Sequence, residues 1–415
     1  MNAFKIVATH FLILVFSVLN VLFAQPPNKM NWKEDLKIYK ASLEQKHIDL
    51  YHTVTKEEFY NEWNSIYESV ETLNDFEIIL KLMRLTRRIN DGHTSVSFRN
   101  MPTHRFPFEV TLIEDQWRVV KTLNENKDIL KTTLKSINGI SIDKVAQKVS
   151  EIAQFVENEY SLKERTGNYL TTAEFLFYLN LIDSKNKATF SFQKNNNELI
   201  NMELTAITNE MWQDRHISEM ITSVPEIERP NIDNLDLWFA PISETKGLYV
   251  NFKTYPSFEE MQSFGERLVS CIQEKQIKQV IIDMRENGGG DLYVGTVLAY
   301  ALNLADSIDW KNGIFVLTSN KTFSAATSNA ALFKQLLNAK IVGQPTGSNP
   351  NGYQDMDSFT LPNSKLVITY SKRLFRLSEE ENKALMPDIL IRPSWEDLVS
   401  GKDTVLTKLL DVISL

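Results

Sequence analysis

The stretch IFVLTSNKTFSAATSNAALF, residues 314–333, decides how the rest of the chain is read. Ile314 to Leu317 is a short apolar run of branched side chains and predicts a buried strand. A polar break from Thr318 to Lys321 follows. Ala325, Ala326, Ala330, Ala331, Leu332 and Phe333 then recur with helical spacing. Ser324 therefore falls where a strand hands over to the first turn of a helix. Backbone N–H groups at a helix start have no partner within the helix, so they can face an oxyanion formed beside the hydroxyl. Serine is also a favoured N-cap. From this stretch alone, both the cap and the nucleophile readings stand.

Working outward, the C-terminal part alternates strands and helices. Gly247–Phe252 reads as a strand, Phe258–Lys275 as a helix, Gln279–Met284 as a strand and Tyr293–Leu304 as a helix. Lys340–Gly343 continues the series. Nearly continuous apolar strands between amphipathic helices predict a mostly parallel sheet covered on both faces. The strand at 280–284 runs into Glu286-Asn287-Gly288-Gly289-Gly290-Asp291. Its glycines allow a ligand close to the main chain. The spacing fits no phosphate-binding motif, whereas an N–H from Gly289 or Gly290 paired with that of Ala325 would make an oxyanion hole.

Toward the N-terminus, residues 31–90 carry apolar positions at three and four, with Thr55 and Glu58 placed for a capping box. Asp91-Gly92-His93-Thr94 follows, a turn leading into the alternating Ser95–Phe98. Residues 105–205 read as β-rich, with a hairpin across 106–120, an Asn138-Gly139 turn and a second hairpin joined through 194–198. Residues 223–234 read as a linker.

With a net charge of -8 and 43% hydrophobic residues, the composition is that of a globular chain. It suits neither nucleic acid nor an anionic membrane surface. Lys5, the apolar run Ile6–Phe23 and the small-residue site at Ala24–Gln25 read as a secretory signal peptide, with a retained membrane anchor as the competing reading. Cys271 is the single cysteine, so no intramolecular disulfide can form. No pattern calls for a metal or cofactor.

Taken in order, several segments resemble the tail-specific, or C-terminal-processing, serine peptidases, in particular the branch that includes tricorn protease. They are DGHT at 91–94, LKSINGISIDKV at 134–145, GLYVNF at 247–252, VIIDMRENGGGDL at 280–292, TFSAAT at 322–327, IVGQPTGS at 341–348, LPNS at 361–364 and PDI at 387–389. The resemblance implies an α/β fold with a crotonase-like catalytic core over residues 235–415. It also implies a helical domain over 25–100 and a degenerate PDZ-like domain over 101–222, after a signal peptide at 1–24. Ser324 matches the nucleophile, and Ala325 with Gly289 or Gly290 the oxyanion hole. The Ser/Lys branch carries its lysine where this chain has Asn349, and asparagine cannot accept the serine proton. The tricorn branch uses a histidine and a glutamate, which correspond to His93 and Glu381. His93 would be the general base, and Glu381 would orient it. Tricorn has a serine before that histidine. Here Gly92 stands there, with Asp91 as a possible substitute or a turn residue. Lys321 and Lys372 lie off the family lysine position, and His47, His52, His104 and His216 read as structural or surface residues. No Gly-rich carboxylate-binding loop is visible between residues 105 and 134.

The expected protein is thus an exported, periplasmic or extracellular serine-type peptidase, not stably inserted in the membrane after signal cleavage, with a peptide or protein as partner. A catalytically silent peptide-binding scaffold and an esterase are the alternatives.

Overall fold

The computed structural model describes residues 30–98, 101–379 and 381–413. The signal-peptide expectation falls on residues outside that set. Among the described residues no helix is long and apolar enough to cross a membrane.

Helices α1 (Trp32–Lys46), α2 (Lys56–Ser69) and α3 (Asp75–Arg87) open the described chain. The capping box formed by Thr55 and Glu58 starts α2, and Asn74 with Glu77 does the same for α3. Beyond α3 the chain turns through Asp91–Thr94 into a short strand, β1 (Ser95–Ser97).

An antiparallel sheet follows, in which β2 (Phe108–Ile113) pairs with β3 (Gln116–Leu123), β3 with β4 (Thr133–Ile137), β4 with β5 (Lys187–Gln193) and β5 with β6 (Leu199–Thr205). The tight turn at Glu114–Asp115 has positive φ at both residues, as does the Asn138-Gly139 turn, so both match the right-handed twist of their strands. Between β4 and β5 lie α4 (Ile142–Ser150), α5 (Glu159–Tyr169) and α6 (Ala173–Tyr178). One apolar core runs through the first helices and this sheet: Leu36, Phe59, Leu82, Phe108, Phe175 and Phe190 are all fully buried in it.

The C-terminal part is built on a six-stranded sheet. Its order is β7 (Leu237–Pro241), β8 (Gly247–Phe252), β9 (Gln279–Asp283), β10 (Ile314–Thr318), β11 (Lys340–Gly343) and a short final strand, Ile389–Leu390. The β7–β8 pair is antiparallel and all the others are parallel. Helices α7 (Phe258–Lys275), α8 (Leu292–Leu302) and α9 (Ala325–Leu336) supply one core with Phe264, Leu298 and Phe333 against Val280, Ile282 and Val316. Alternate residues Ile281, Phe315 and Leu317 face a second core, with Leu406 and Leu409 of α10 (Thr404–Ile413). The central strand positions, such as Val280–Ile282 and Ile314–Leu317, are apolar in succession because both faces are covered.

Past β11, the long hairpin β12 (Asn351–Thr360) and β13 (Val367–Arg376) leaves this sheet and pairs with β1 through Ser95↔Thr369 and Val96↔Ile368. Its inner residues Leu361, Leu366, Ile368 and Tyr370 join the core of the N-terminal helices. The hairpin thus carries β1, and with it the 91–94 turn, to the end of the parallel sheet. That placement is what makes a site possible.

Beyond β9 the chain is anchored by Arg285, whose guanidinium pairs with Asp283 at 2.6 Å and with Asp403 at 2.7 Å in a largely enclosed setting. Replacing it by methionine leaves two carboxylates facing each other without a countercharge. Arg285→Met is expected to lower unfolding free energy by roughly 3–5 kcal/mol in a urea titration. A loss under about 1 kcal/mol would show that water already screens the cluster.

Candidate active site

The strand β10 delivers the chain to Ser324 through a tight turn. Ser319 N–H is taken by Thr322 Oγ1 at 2.9 Å, and Thr322 Oγ1 donates to Met284 O at 2.9 Å. Ser324 sits at φ 54°, ψ -129°, a conformation that side chains other than glycine seldom adopt. It precedes α9 without capping it, since its side chain accepts no helix N–H. The cap reading is therefore not the one realised. The geometry is that of a nucleophile held on a strained strand-to-helix turn, which lifts the hydroxyl off the sheet.

Three contacts hold that conformation. Ser324 N–H donates to Ser348 Oγ at 2.8 Å, and Ser348 stands 2.9 Å from Thr327 Oγ1. Phe323 N–H donates to Asn287 O at 3.1 Å. Gly289, at φ 107°, lies so close that a Cβ there would stand 2.7 Å from Ser324 Cβ and 3.3 Å from its Oγ. Here glycine is required twice, for its backbone angle and for the space.

Across 231 positions of sequence, His93 Nε2 lies 2.8 Å from Ser324 Oγ. The ring is only 3% exposed and packs against Phe323, with ring centres 5.3 Å apart. Burial pulls its pKa below the ordinary 6.5, against the opposing pull of Asp91 and the Tyr353 backbone, with Arg165 adding to the lowering and Asp355 opposing it. A neutral imidazole is the form that can accept a proton. Nδ1 is buried and makes no hydrogen bond of good geometry.

Asp91 fixes the turn that carries His93. Its Oδ1 accepts from His93 N–H and Ser371 Oγ, both at 2.8 Å. Its Oδ2 accepts from Thr94 Oγ1 at 2.6 Å and lies 2.8 Å from His47 Nε2. Asp49 N–H donates to His47 Nδ1 at 3.0 Å, so His47 carries its proton on Nε2 and donates it to Asp91. Burial alone would raise the Asp91 pKa, but the His47 hydrogen bond, the neighbouring His93 and Thr94 outweigh it and the carboxylate stays charged. Asp91 thus combines the turn role with an electrostatic one, and His47 supports it from behind.

On the opposite side of Ser324, the glycine loop and the start of α9 present backbone N–H groups. Gly289 N–H is committed to Asn287 Oδ1 at 2.9 Å, and Asn287 Nδ2 in turn holds Phe252 O at 2.9 Å. Among the described residues, the N–H groups of Gly290 and Ala325 have no acceptor. Of the two glycines named from sequence, Gly290 is therefore the one with a donor to offer. A cleft of about 560 Å³ opens over these atoms, lined among others by His93, Arg165, Gly290, Tyr293, Ser324 and Phe375.

Glu381 is brought to neither His93 nor Ser324. It is exposed, does not line the cleft, and makes no hydrogen bond or ion pair with Asp91, His93 or Ser324. Lys321 is paired with Glu286 at 3.0 Å, and Lys372 lies 3.6 Å from Asp355, so neither amine reaches the hydroxyl. Asn349 directs its backbone N–H to Glu157 Oε1 at 3.1 Å.

Glu157, Ser348 and Asn287 are the site residues that sequence reading passed over. Asn287 and Ser348 lie inside quoted motifs and could have been singled out there. Glu157, in QFVENEY, has no motif around it. Its residue is half-buried, but its Oε2 is fully enclosed and has no partner.

The sequence matches no family model and no curated relative. Solved structures do match. Mature CPAF aligns over 92% of this chain and 96% of its own, with a TM-score of 0.69 and 12% identity. Its fold is similar to that of mature CPAF. The structure of mature CPAF complexed with lactacystin aligns with a TM-score of 0.66 at 12% identity, over 92% of this chain and 97% of that one. At this identity the likeness shows the mixed α/β fold alone.

Two outcomes follow from this geometry. Gly289→Ala places a methyl group against Ser324 and is expected to slow fluorophosphonate labelling on the order of a hundredfold, with circular dichroism unchanged. Because burial lowers the His93 pKa, the labelling rate should reach half its first plateau below pH 6.5. A profile with no rise below pH 7 would mean that His93 is not the base.

Proposed function

We propose that the protein is a serine-type peptidase that cleaves peptide bonds through an acyl-enzyme on Ser324. The observation that carries this reading is the 2.8 Å contact between Ser324 Oγ and a buried His93 Nε2 on a strained elbow. In attack, the Ser324 proton passes to His93 Nε2 as Oγ bonds to the substrate carbonyl carbon. The tetrahedral oxyanion takes hydrogen bonds from Ala325 N–H and Gly290 N–H. The imidazolium then gives its proton to the leaving amine, and water repeats the sequence to release the acid. Asp91 lies beside His93 as a fixed negative charge and favours the imidazolium without bonding to the ring nitrogen.

The likeness to CPAF, whose solved structures include the lactacystin complex, supports a cleft that takes peptide-like ligands. The Ser/His arrangement agrees with the tricorn-branch resemblance, while the expected Glu381 has no place in this mechanism as the chain folds. Export, and a PDZ-like role for the β2–β6 sheet, remain part of the same proposal, with the apolar run Ile6–Phe23 before Ala24–Gln25 and LKSINGISIDKV as their respective sequence support. The silent-scaffold alternative has no observation in its favour, because a binding surface has no use for a strained serine beside a buried histidine.

The decisive measurement is labelling with a fluorophosphonate probe, followed by peptide and ester hydrolysis. Wild type should label and turn over peptides, and Ser324→Ala should do neither. His93→Ala should reduce kcat/KM by roughly 10²–10⁴ with folding retained. Equal labelling of wild type and Ser324→Ala would sink the proposal. Ester turnover without peptide turnover would replace it by the esterase reading.

A further inference from the structure

The carboxyl group of Glu157 occupies an unusual position. Residue 157 precedes α5, and its neighbour Asn158 ties this segment to the catalytic sheet by donating from Nδ2 to Thr346 O at 3.1 Å and Lys383 O at 2.9 Å. Glu157 Oε1 accepts the Asn349 N–H. Two glycines leave room for the carboxyl: a Cβ on Gly92 would stand 2.7 Å from Oε2, and one on Gly352 would stand 2.8 Å from Oε1. Gly92 lies between Asp91 and His93. The hollow left by a missing side chain beside the base is thus filled by an acid from another element together with the edge of the Phe323 ring, and among the described residues one oxygen of that acid is buried without a hydrogen-bond partner.

Two carboxyl groups now flank the same turn in contrasting surroundings. Asp91 has its hydrogen bonds satisfied and is charged. Glu157 has one backbone donor and is pushed up to about 8 by burial and by the charge of Asp91, against the Asn349 N–H. Environments that separate two acids in this way assign them different tasks. The groups that bear on His93 itself are Asp91, Asp355 and the Tyr353 backbone, which favour its charged form, and Arg165, which opposes it.

We infer that Glu157 is a positioning residue for the His93–Ser324 pair: its carboxyl fills the Gly92 hollow, joins the Asn349 segment to the turn that carries the base, and when ionised favours the imidazolium form of His93. In the resting site at neutral pH it holds its proton, so it adds bulk and no charge. Above its titration the carboxylate adds a second negative charge beside Asp91. His93 then becomes a stronger base while remaining neutral, and proton transfer from Ser324 becomes easier. This inference rests on the Ser/His reading of the site.

The test compares wild type with Glu157→Gln, which keeps the shape and cannot ionise. Fluorophosphonate labelling of wild type should rise in two steps, one below pH 6.5 from His93 and one near pH 8 from Glu157. Glu157→Gln should lose the second step and fall roughly a further three- to tenfold behind wild type between pH 7 and pH 9. A purely structural role would leave the shape of this profile untouched. A second readout does not need catalysis. In the Ser324→Ala background, the His93 ring proton resonance should show an inflection near pH 8 that Glu157→Gln abolishes. If labelling fails but the inflection is present, the peptidase reading falls and the coupling of Glu157 to His93 stands. A wild-type profile with one step and no inflection overturns the inference, even if Glu157→Gln does not fold. So does an inflection that survives in Glu157→Gln.

Discussion

Everything at the site depends on one strained residue. A non-glycine backbone at φ 54°, ψ -129° costs on the order of 1–3 kcal/mol and persists only where its surroundings leave no alternative. Here the surroundings are the start of α9, the Ser348 hydroxyl on the Ser324 N–H, and Gly289 pressed against the Cβ. The parallel sheet supplies the rigidity, since β9 and β10 are paired along Val280–Asp283 and Ile314–Leu317 and buried on both faces. The loop after β9 and the elbow after β10 leave the same end of the sheet. That is why the Gly290 N–H and the Ser324 hydroxyl, from separate segments, face one cleft.

The base arrives by a different route. His93 stands on a turn that precedes a strand of only three residues, too short to hold its own position. Its place is set by β13, which pairs with β1 and whose Thr369 Oγ1 donates to His93 O at 2.7 Å, and by Asp91, which gathers four donors from four residues. Burying a charge among so many donors keeps it charged and keeps it still. Asp91 spends its oxygens on the turn and on His47, so among the described residues it leaves none for the His93 ring.

Much of this was legible in the sequence because it rests on local patterns. Continuous apolar runs separated by helical periods declare a doubly covered parallel sheet, and α7 was readable as Phe258–Lys275 from its spacing alone. Ser324, His93 and the triple glycine could be named because each sits at a punctuated junction between elements. What was not legible depends on three-dimensional closure. Whether Gly289 or Gly290 has a free N–H depends on where the Asn287 side chain turns, and spacing says nothing of that. Glu381 lies beyond the end of β13 at Arg376, outside the paired strands that place His93, so a matching motif did not fix its place. Glu157 could not be found at all, since an acid in a loop looks solvated until two distant glycines are seen to enclose it.

Gly92 shows how a departure from a motif can carry structural meaning. Read along the chain, glycine at that position looks like a loss, because the motif it resembles has a serine before its histidine. In the fold the absence of a side chain is what admits a carboxyl group from a segment 65 positions away, since a Cβ at Gly92 would stand 2.7 Å from Glu157 Oε2. A serine restored there would have to expel that carboxyl or shift the turn that carries His93. The two solutions are therefore exclusive alternatives for the same volume beside the base, and a chain that holds glycine at 92 has room for an acid at 157. The local sequence difference and the distant buried acid are a single structural fact.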